Sequence, residues 1–134
     1  MYSSETQIRV RYAETDQMGY VYYGNYAQYY EVGRVEAMRQ LGLSYKAMEV
    51  SGVMMPVLSF SIKYIKPAFY DDLLTIKTSI KELPALRIVF TYETFNQEGM
   101  LLNVGETTLA FIDKAKNKTC VPPESFLKKL QAFF

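Results

Sequence analysis

The sequence contains no histidine and no tryptophan, and only one cysteine, Cys120. Without histidine there is no Ser-His-Asp or Cys-His catalysis and no histidine-ligated metal. One cysteine excludes an internal disulfide and a cysteine-rich zinc site, and it fits a reducing compartment. Net charge is scarce too: 15 basic residues stand against 14 acidic ones, for +1 overall. That leaves no general excess of cations for nucleic acid or a membrane surface. No apolar run approaches the roughly 18 residues of a membrane span. Met1 to Arg11 lacks the apolar core and cleavage pattern of a secretory leader. The expectation is a cytoplasmic protein with no nucleic-acid partner, no membrane partner and no metal. Acid–base chemistry then falls to carboxylates, tyrosine, lysine, Cys120, backbone dipoles or water.

What is present points to an ordinary globular chain. Hydrophobic residues make up 49% and charged residues 22% of 134 residues, enough for one core and one domain over 1–134. Ile8, Val10 and Tyr12 alternate with polar neighbours, so the spacing predicts a half-buried strand over 6–12. From Asn25 to Gln40 the period changes. Tyr26, Tyr29, Tyr30, Gly33 and Ala37 form a helical stripe, with Asn25 as the expected N-cap. Val32, Val35 and Met38 widen the apolar surface, so something must wrap this helix. Residues 44–50 read as a short second helix capped by Ser44. Alternating runs then follow at 58–64, 74–80 and 88–92, with a last long strand at 101–113. Pro122-Pro123 ends the sheet, and 124–131 reads as a short amphipathic helix. One strand, a long apolar helix and four more strands give an α+β domain. Its single five-stranded antiparallel sheet is wrapped around one long central helix.

The densest chemistry lies between Arg11 and Arg34. Asp16 falls in the loop between the first strand and the helix, and Gly19 allows a tight backbone approach three residues on. A helix start offers unpaired N–H groups and partial positive charge, suited to a carbonyl oxygen that gains negative charge. A carboxylate beside that end can attack the carbonyl or activate water. Glu14 reads as a solvated loop residue. Glu31 lies on the buried helix, where a carboxylate needs a partner, and its alternatives are structural pairing or support of the site. The tyrosines at 20, 22, 23, 26, 29 and 30 read mostly as packing.

The segments Asp16-Gln17-Met18-Gly19, Val21-Tyr22-Tyr23, Asn25-Tyr26 and Tyr29-Tyr30-Glu31 resemble the motif of 4-hydroxybenzoyl-CoA thioesterase-like hotdog proteins. Tyr64, Pro67-Ala68 and Asp71-Asp72 extend the resemblance through the next strands. The resemblance implies the hotdog fold and hydrolysis of an acyl-CoA thioester to free acid and CoA. It implies Asp16 as catalytic nucleophile or general base and the Tyr23 backbone N–H as oxyanion donor. No cofactor is implied, since CoA is part of the substrate. Assembly as a homodimer or homotetramer is implied, with sites at the subunit interface. Relatives acting on short acyl chains often carry a histidine where this chain has Tyr23, whereas the 4-hydroxybenzoyl branch carries tyrosine.

Candidate substrate contacts are Met18, Gly19, Val21, Tyr22 and Tyr26 around the helix start. Met54, Met55 and Pro56 are candidates for an acyl pocket. Arg87, Lys63 and Lys66 are candidates for CoA phosphates, each also readable as a solvated surface charge. The competing reading from another class is a non-catalytic acyl-CoA or acyl-carrier-protein binding protein. The Asp16-to-Gly19 segment argues against it.

Overall fold

The computed structural model describes residues 1–134. Its main elements are strand β1 (Tyr2–Arg9), helix α1 (Asn25–Gln40), helix α2 (Tyr45–Val50) and strand β2 (Val53–Met54). They continue with β3 (Val57–Tyr64), β4 (Leu73–Ile80), β5 (Arg87–Phe95), β6 (Leu101–Ala110), β7 (Ile112–Asp113), β8 (Lys118–Thr119) and helix α3 (Glu124–Gln131). Five strands form one antiparallel sheet in the order β1-β4-β5-β6-β3. Strands β4, β5 and β6 are consecutive neighbours, but β3 crosses to the far edge and pairs with β6. A second small sheet joins β2, β7 and β8.

The sheet curls around α1 because both present continuous apolar faces. On β4, Leu74, Ile76 and Ile80 point inward with Thr78; on β5, Ile88, Phe90 and Tyr92 do so with Thr94. The helix answers with Tyr26, Tyr29, Tyr30, Gly33, Ala37 and Met38, all buried. Tyr30 stacks on Tyr92 with ring centroids 4.2 Å apart and planes 3° from parallel. Its hydroxyl donates to Asn103 Oδ1 at 2.5 Å, and the Tyr2 hydroxyl donates to the Ala37 carbonyl at 2.6 Å. The tyrosines thus supply apolar area with a polar tip that meets its partner in the core.

Several details differ from the sequence reading. Strand β1 begins at Tyr2 and ends at Arg9, rather than spanning 6–12. Its early inward positions are Tyr2 and Ser4, and a buried serine hides the alternation. Asn25 is the first helical residue and Gly24 holds the cap position. The Asn25 side chain donates to the Glu14 carbonyl instead of accepting a helix amide. The last strand breaks at Phe111, which is buried directly after buried Ala110 and packs edge-on against Phe126. Two consecutive inward residues end the alternation that a strand requires. The helix face is rotated at two charges: Glu31 is exposed, whereas Arg34 is only 9% exposed.

Gly105 on β6 faces the Tyr30 ring. A Cβ there would stand 2.7 Å from the Tyr30 hydroxyl oxygen and 2.8 Å from Cζ. That ring is held on one side by Tyr92 and at its tip by Asn103, so it has no free direction to move. Gly105→Ala is expected to destabilise the protein by about 1–3 kcal/mol through overpacking. The measurement is the midpoint of urea unfolding, with an unchanged midpoint as the contrary result.

Candidate active site

Chain segment 10–24 leaves β1, folds back and enters α1. A short 3-10 turn at Tyr12–Glu14 starts it. Thr15 then bridges to Val21, and Tyr20 bridges to Phe69, so the loop is a miniature hairpin laid against the turn between β3 and β4. Val21 N–H donates to the Ala68 carbonyl at 2.8 Å, and Tyr20 and Phe69 pack edge to face.

Asp16 sits at the bend of this hairpin. Its Oδ1 accepts the amides of Met18 at 3.0 Å and Tyr20 at 3.2 Å, while its own amide donates to the Tyr20 carbonyl at 2.8 Å. Short Asp side chains close turns in this way. The other carboxylate oxygen has no partner in the chain, and Asp16 joins no ion pair. Gly19 takes φ of +81°, the left-handed conformation that lets the hairpin reverse.

The helix end completes the geometry. The Tyr22 amide donates to the Glu14 carbonyl at 2.9 Å, and the Asn25 amide donates to the Tyr22 carbonyl at 2.9 Å. Between them, the amides of Tyr23 and Gly24 donate to no group of the chain. Two free N–H groups thus stand at the start of a 16-residue helix, where partial positive charge gathers.

Asp16 and Tyr23 open on the same cavity of about 340 Å³. Tyr20, Val21 and Tyr26 line it from the same segment; Tyr64, Ile65, Lys66 and Pro67 form the facing wall. The Ile65 and Lys66 amides both donate to the Leu102 carbonyl, at 2.8 and 2.9 Å, which turns the chain at the end of β3 and seats that wall. Burial, and then the nearby Tyr64, pushes the Tyr26 hydroxyl up to about 12, and burial also raises Tyr64. Both therefore stay neutral phenols at neutral pH, and Lys66 is the only basic residue on the lining.

Of the residues singled out from sequence, Asp16, Val21, Tyr23, Tyr26 and Lys66 meet at this cavity. Met18, Gly19 and Tyr22 flank it without lining it; Met18 and Tyr22 are exposed on the loop. Met54, Met55 and Lys63 are not on the lining, and Arg87, Pro56 and Glu31 also lie elsewhere in the single chain. Arg87 opens β5 opposite Ala110, whereas Tyr64 at the cavity pairs with Asn103. Those β6 positions are roughly 24 Å apart at about 3.4 Å per residue. Pro56 sits between β2 and β3, its carbonyl accepting the Ala110 amide at 3.1 Å. Glu31 is exposed on α1 beside a groove with Val57 and Phe60, with no ion pair. It projects from a different side of the helix than Tyr26 and Tyr30. Glu14, expected in solvent, is buried; Tyr20, expected as packing, lines the cavity, as does Ile65, for which the sequence carried no signal. Tyr64 and Pro67 carried a signal, as matches to the family motif at the end of β3.

A sheet rolled on one long helix defines hotdog architecture, and similar proteins of this architecture are thioester hydrolases. The profile of the thioesterase-like superfamily matches residues 10–130, and the chain belongs to that superfamily. The acyl-CoA thioester hydrolase YbgC of Escherichia coli O157:H7 is 33% identical over 124 residues, covering 92% of each chain. Among solved structures, a DHNA-CoA thioesterase from Staphylococcus aureus is 38% identical with a TM-score of 0.86, covering all of this chain and 85% of that one. At 22% identity, 4-hydroxybenzoyl-CoA thioesterase shares the fold with a TM-score of 0.85, over 96% of this chain and 99% of that one.

Nothing lies within 4 Å of a Cβ added at Gly19, so a side chain there meets only the backbone cost. Gly19→Ala is expected to lower stability by roughly 1–2 kcal/mol from the left-handed conformation alone. Gly19→Asn, which tolerates that region better, should recover part of the loss. Urea unfolding of both variants checks this, and equal loss in both would contradict it.

Proposed function

We propose that this protein hydrolyses acyl-CoA thioesters, with Asp16 as the catalytic carboxylate and the Tyr23 amide as the oxyanion donor. One observation carries the reading: Asp16, with a carboxylate oxygen that has no partner, and Tyr23, whose amide is unbonded, line one apolar-walled cavity. The thioester carbonyl oxygen takes the Tyr23 N–H, joined by that of Gly24. The carbonyl carbon then faces Asp16. Asp16 either attacks it, forming an anhydride that water cleaves, or removes a proton from an attacking water. In both routes a C–O bond forms, the C–S bond breaks and the thiolate of CoA leaves. A thiolate is a good leaving group, so one carboxylate with preorganised amides suffices without histidine. The reading calls on no cofactor.

The aromatic walls suit the acyl group, and Lys66 suits a phosphate or carbonyl of the CoA arm. Strand β3 leaves its outer edge unpaired and exposes Val57, Leu58 and Phe60. A second copy laid on that face would bury them, which supports the expected homodimer or homotetramer. The single unpaired cysteine fits the cytoplasm.

Thiol release from acetyl-, butyryl-, palmitoyl- and benzoyl-CoA tests the reading. At least one should turn over many times per chain, beyond the single thiol that Cys120 itself contributes. Asp16→Asn is expected to lower that rate by about 10²- to 10⁴-fold while the protein still folds. Undiminished turnover in the variant would remove Asp16 from its role, and binding without thiol release would favour the non-catalytic reading.

A further inference from the structure

Glu14 is only 8% exposed, although it lies in a loop and was expected to be solvated. A buried carboxylate is costly unless its oxygens are satisfied. Here they are. Oε1 accepts the Arg11 amide at 2.8 Å and the Tyr29 hydroxyl at 2.9 Å; Oε2 accepts the Arg11 guanidinium at 3.3 Å. The guanidinium is 76% exposed, so its ion pair is solvated and weak. The two bonds to Oε1 do the holding. Tyr29 is buried, and burial together with Glu14 raises its hydroxyl well above the ordinary phenol range, so it stays a donor.

The backbone of Glu14 is used as fully as its side chain. Its carbonyl accepts two N–H groups, the Tyr22 amide at 2.9 Å and the Asn25 side chain at 2.8 Å. Asn25 and Tyr29 are four apart on α1, so they share one helix face. The first two turns of α1 therefore grip a single residue, one by its carbonyl and the other by its carboxylate. Asp16 follows Glu14 by two residues. Tyr23 follows the amide that the Glu14 carbonyl engages. That engagement also decides where the free amides begin, because it consumes the Tyr22 N–H and leaves those of Tyr23 and Gly24.

We propose that Glu14 is a positioning residue for the hydrolysis: clamped between Tyr29 and Asn25, it sets the distance from the Asp16 carboxylate to the Tyr23 amide. This rests on the reading of Asp16 above. The clamp acts through hydrogen-bond acceptance rather than charge, since both strong donors meet one oxygen that a glutamine would retain. Glu14 is not among the residues that line the cavity, so its loss is expected to misalign Asp16 and Tyr23 without removing a wall of the cavity.

The test is steady-state kinetics on the acyl-CoA of the four-member panel that turns over fastest. Glu14→Ala and Tyr29→Phe are each expected to lower kcat about 10- to 100-fold, the scale of a misplacement near 1 Å, with KM within about 2-fold. Glu14→Gln should restore kcat to within about 3-fold of the parent. The double variant, Glu14→Ala with Tyr29→Phe, should be no worse than Glu14→Ala alone, because the two residues act through one bond. Parent-like kcat in Tyr29→Phe, which removes a single oxygen, overturns the proposal even if Glu14→Ala fails to fold. A Glu14→Gln variant as impaired as Glu14→Ala overturns it too, as does a loss confined to KM. These outcomes are separable from failure of the underlying reading, which shows instead as full turnover in Asp16→Asn.

Discussion

The first turn of an α-helix has amides that the helix itself cannot satisfy, and this fold turns that constraint into a site. Helix α1 is held by its tyrosine face inside the sheet, so its first turn is fixed relative to the end of β3 and the segment after it. Val21 fastened to Ala68 closes the gap between them. With the Tyr22 amide already taken by Glu14, the amides of Tyr23 and Gly24 stay open just before the helix. The site depends on α1 staying where the Tyr30–Tyr92 stack puts it.

The architecture was legible because the chain keeps its periods clean. The stripe from Tyr26 to Ala37 is wholly buried, and α1 spans the residues that the pattern marks. Strands β4 and β5 alternate as they read, and α3 matches its expected bounds. Strand order was less visible. Consecutive alternating runs suggest consecutive pairing, yet β3 joins β6 and leaves β4 to pair with β1. Nothing local in β3 encodes which neighbour it takes; that follows from how the sheet closes over the helix.

The site was legible in part, for a physical reason that differs residue by residue. Asp16 and Tyr23 stood out through spacing to a helix start and a family motif. Glu14 did not, because a carboxylate in a polar loop reads as solvated until its acceptors are seen to be filled by Tyr29 and Arg11. Charges on α1 misled in the other direction. Glu31 and Arg34 are one turn apart, but the exposed one is the carboxylate and the buried one is the guanidinium, among Tyr45 and Tyr92. Arginine's long stem packs in a core more readily than the short acidic side chain. Arg87 was a reasonable cation by type, but the far end of a strand cannot be read from composition.

Asp16, Tyr23 and the proposed clamp at Glu14 all come from one stretch between Arg11 and Tyr29, whereas the opposite wall of the cavity belongs to Tyr64 through Pro67. The two halves are separate in the chain and meet where Tyr26 packs on Tyr64 and where the Val21 amide bonds the Ala68 carbonyl. Substitutions in the distant half can reshape which guests the cleft admits while Asp16 and Tyr23 keep their alignment. A scaffold divided this way can drift in selectivity without having to relearn its chemistry.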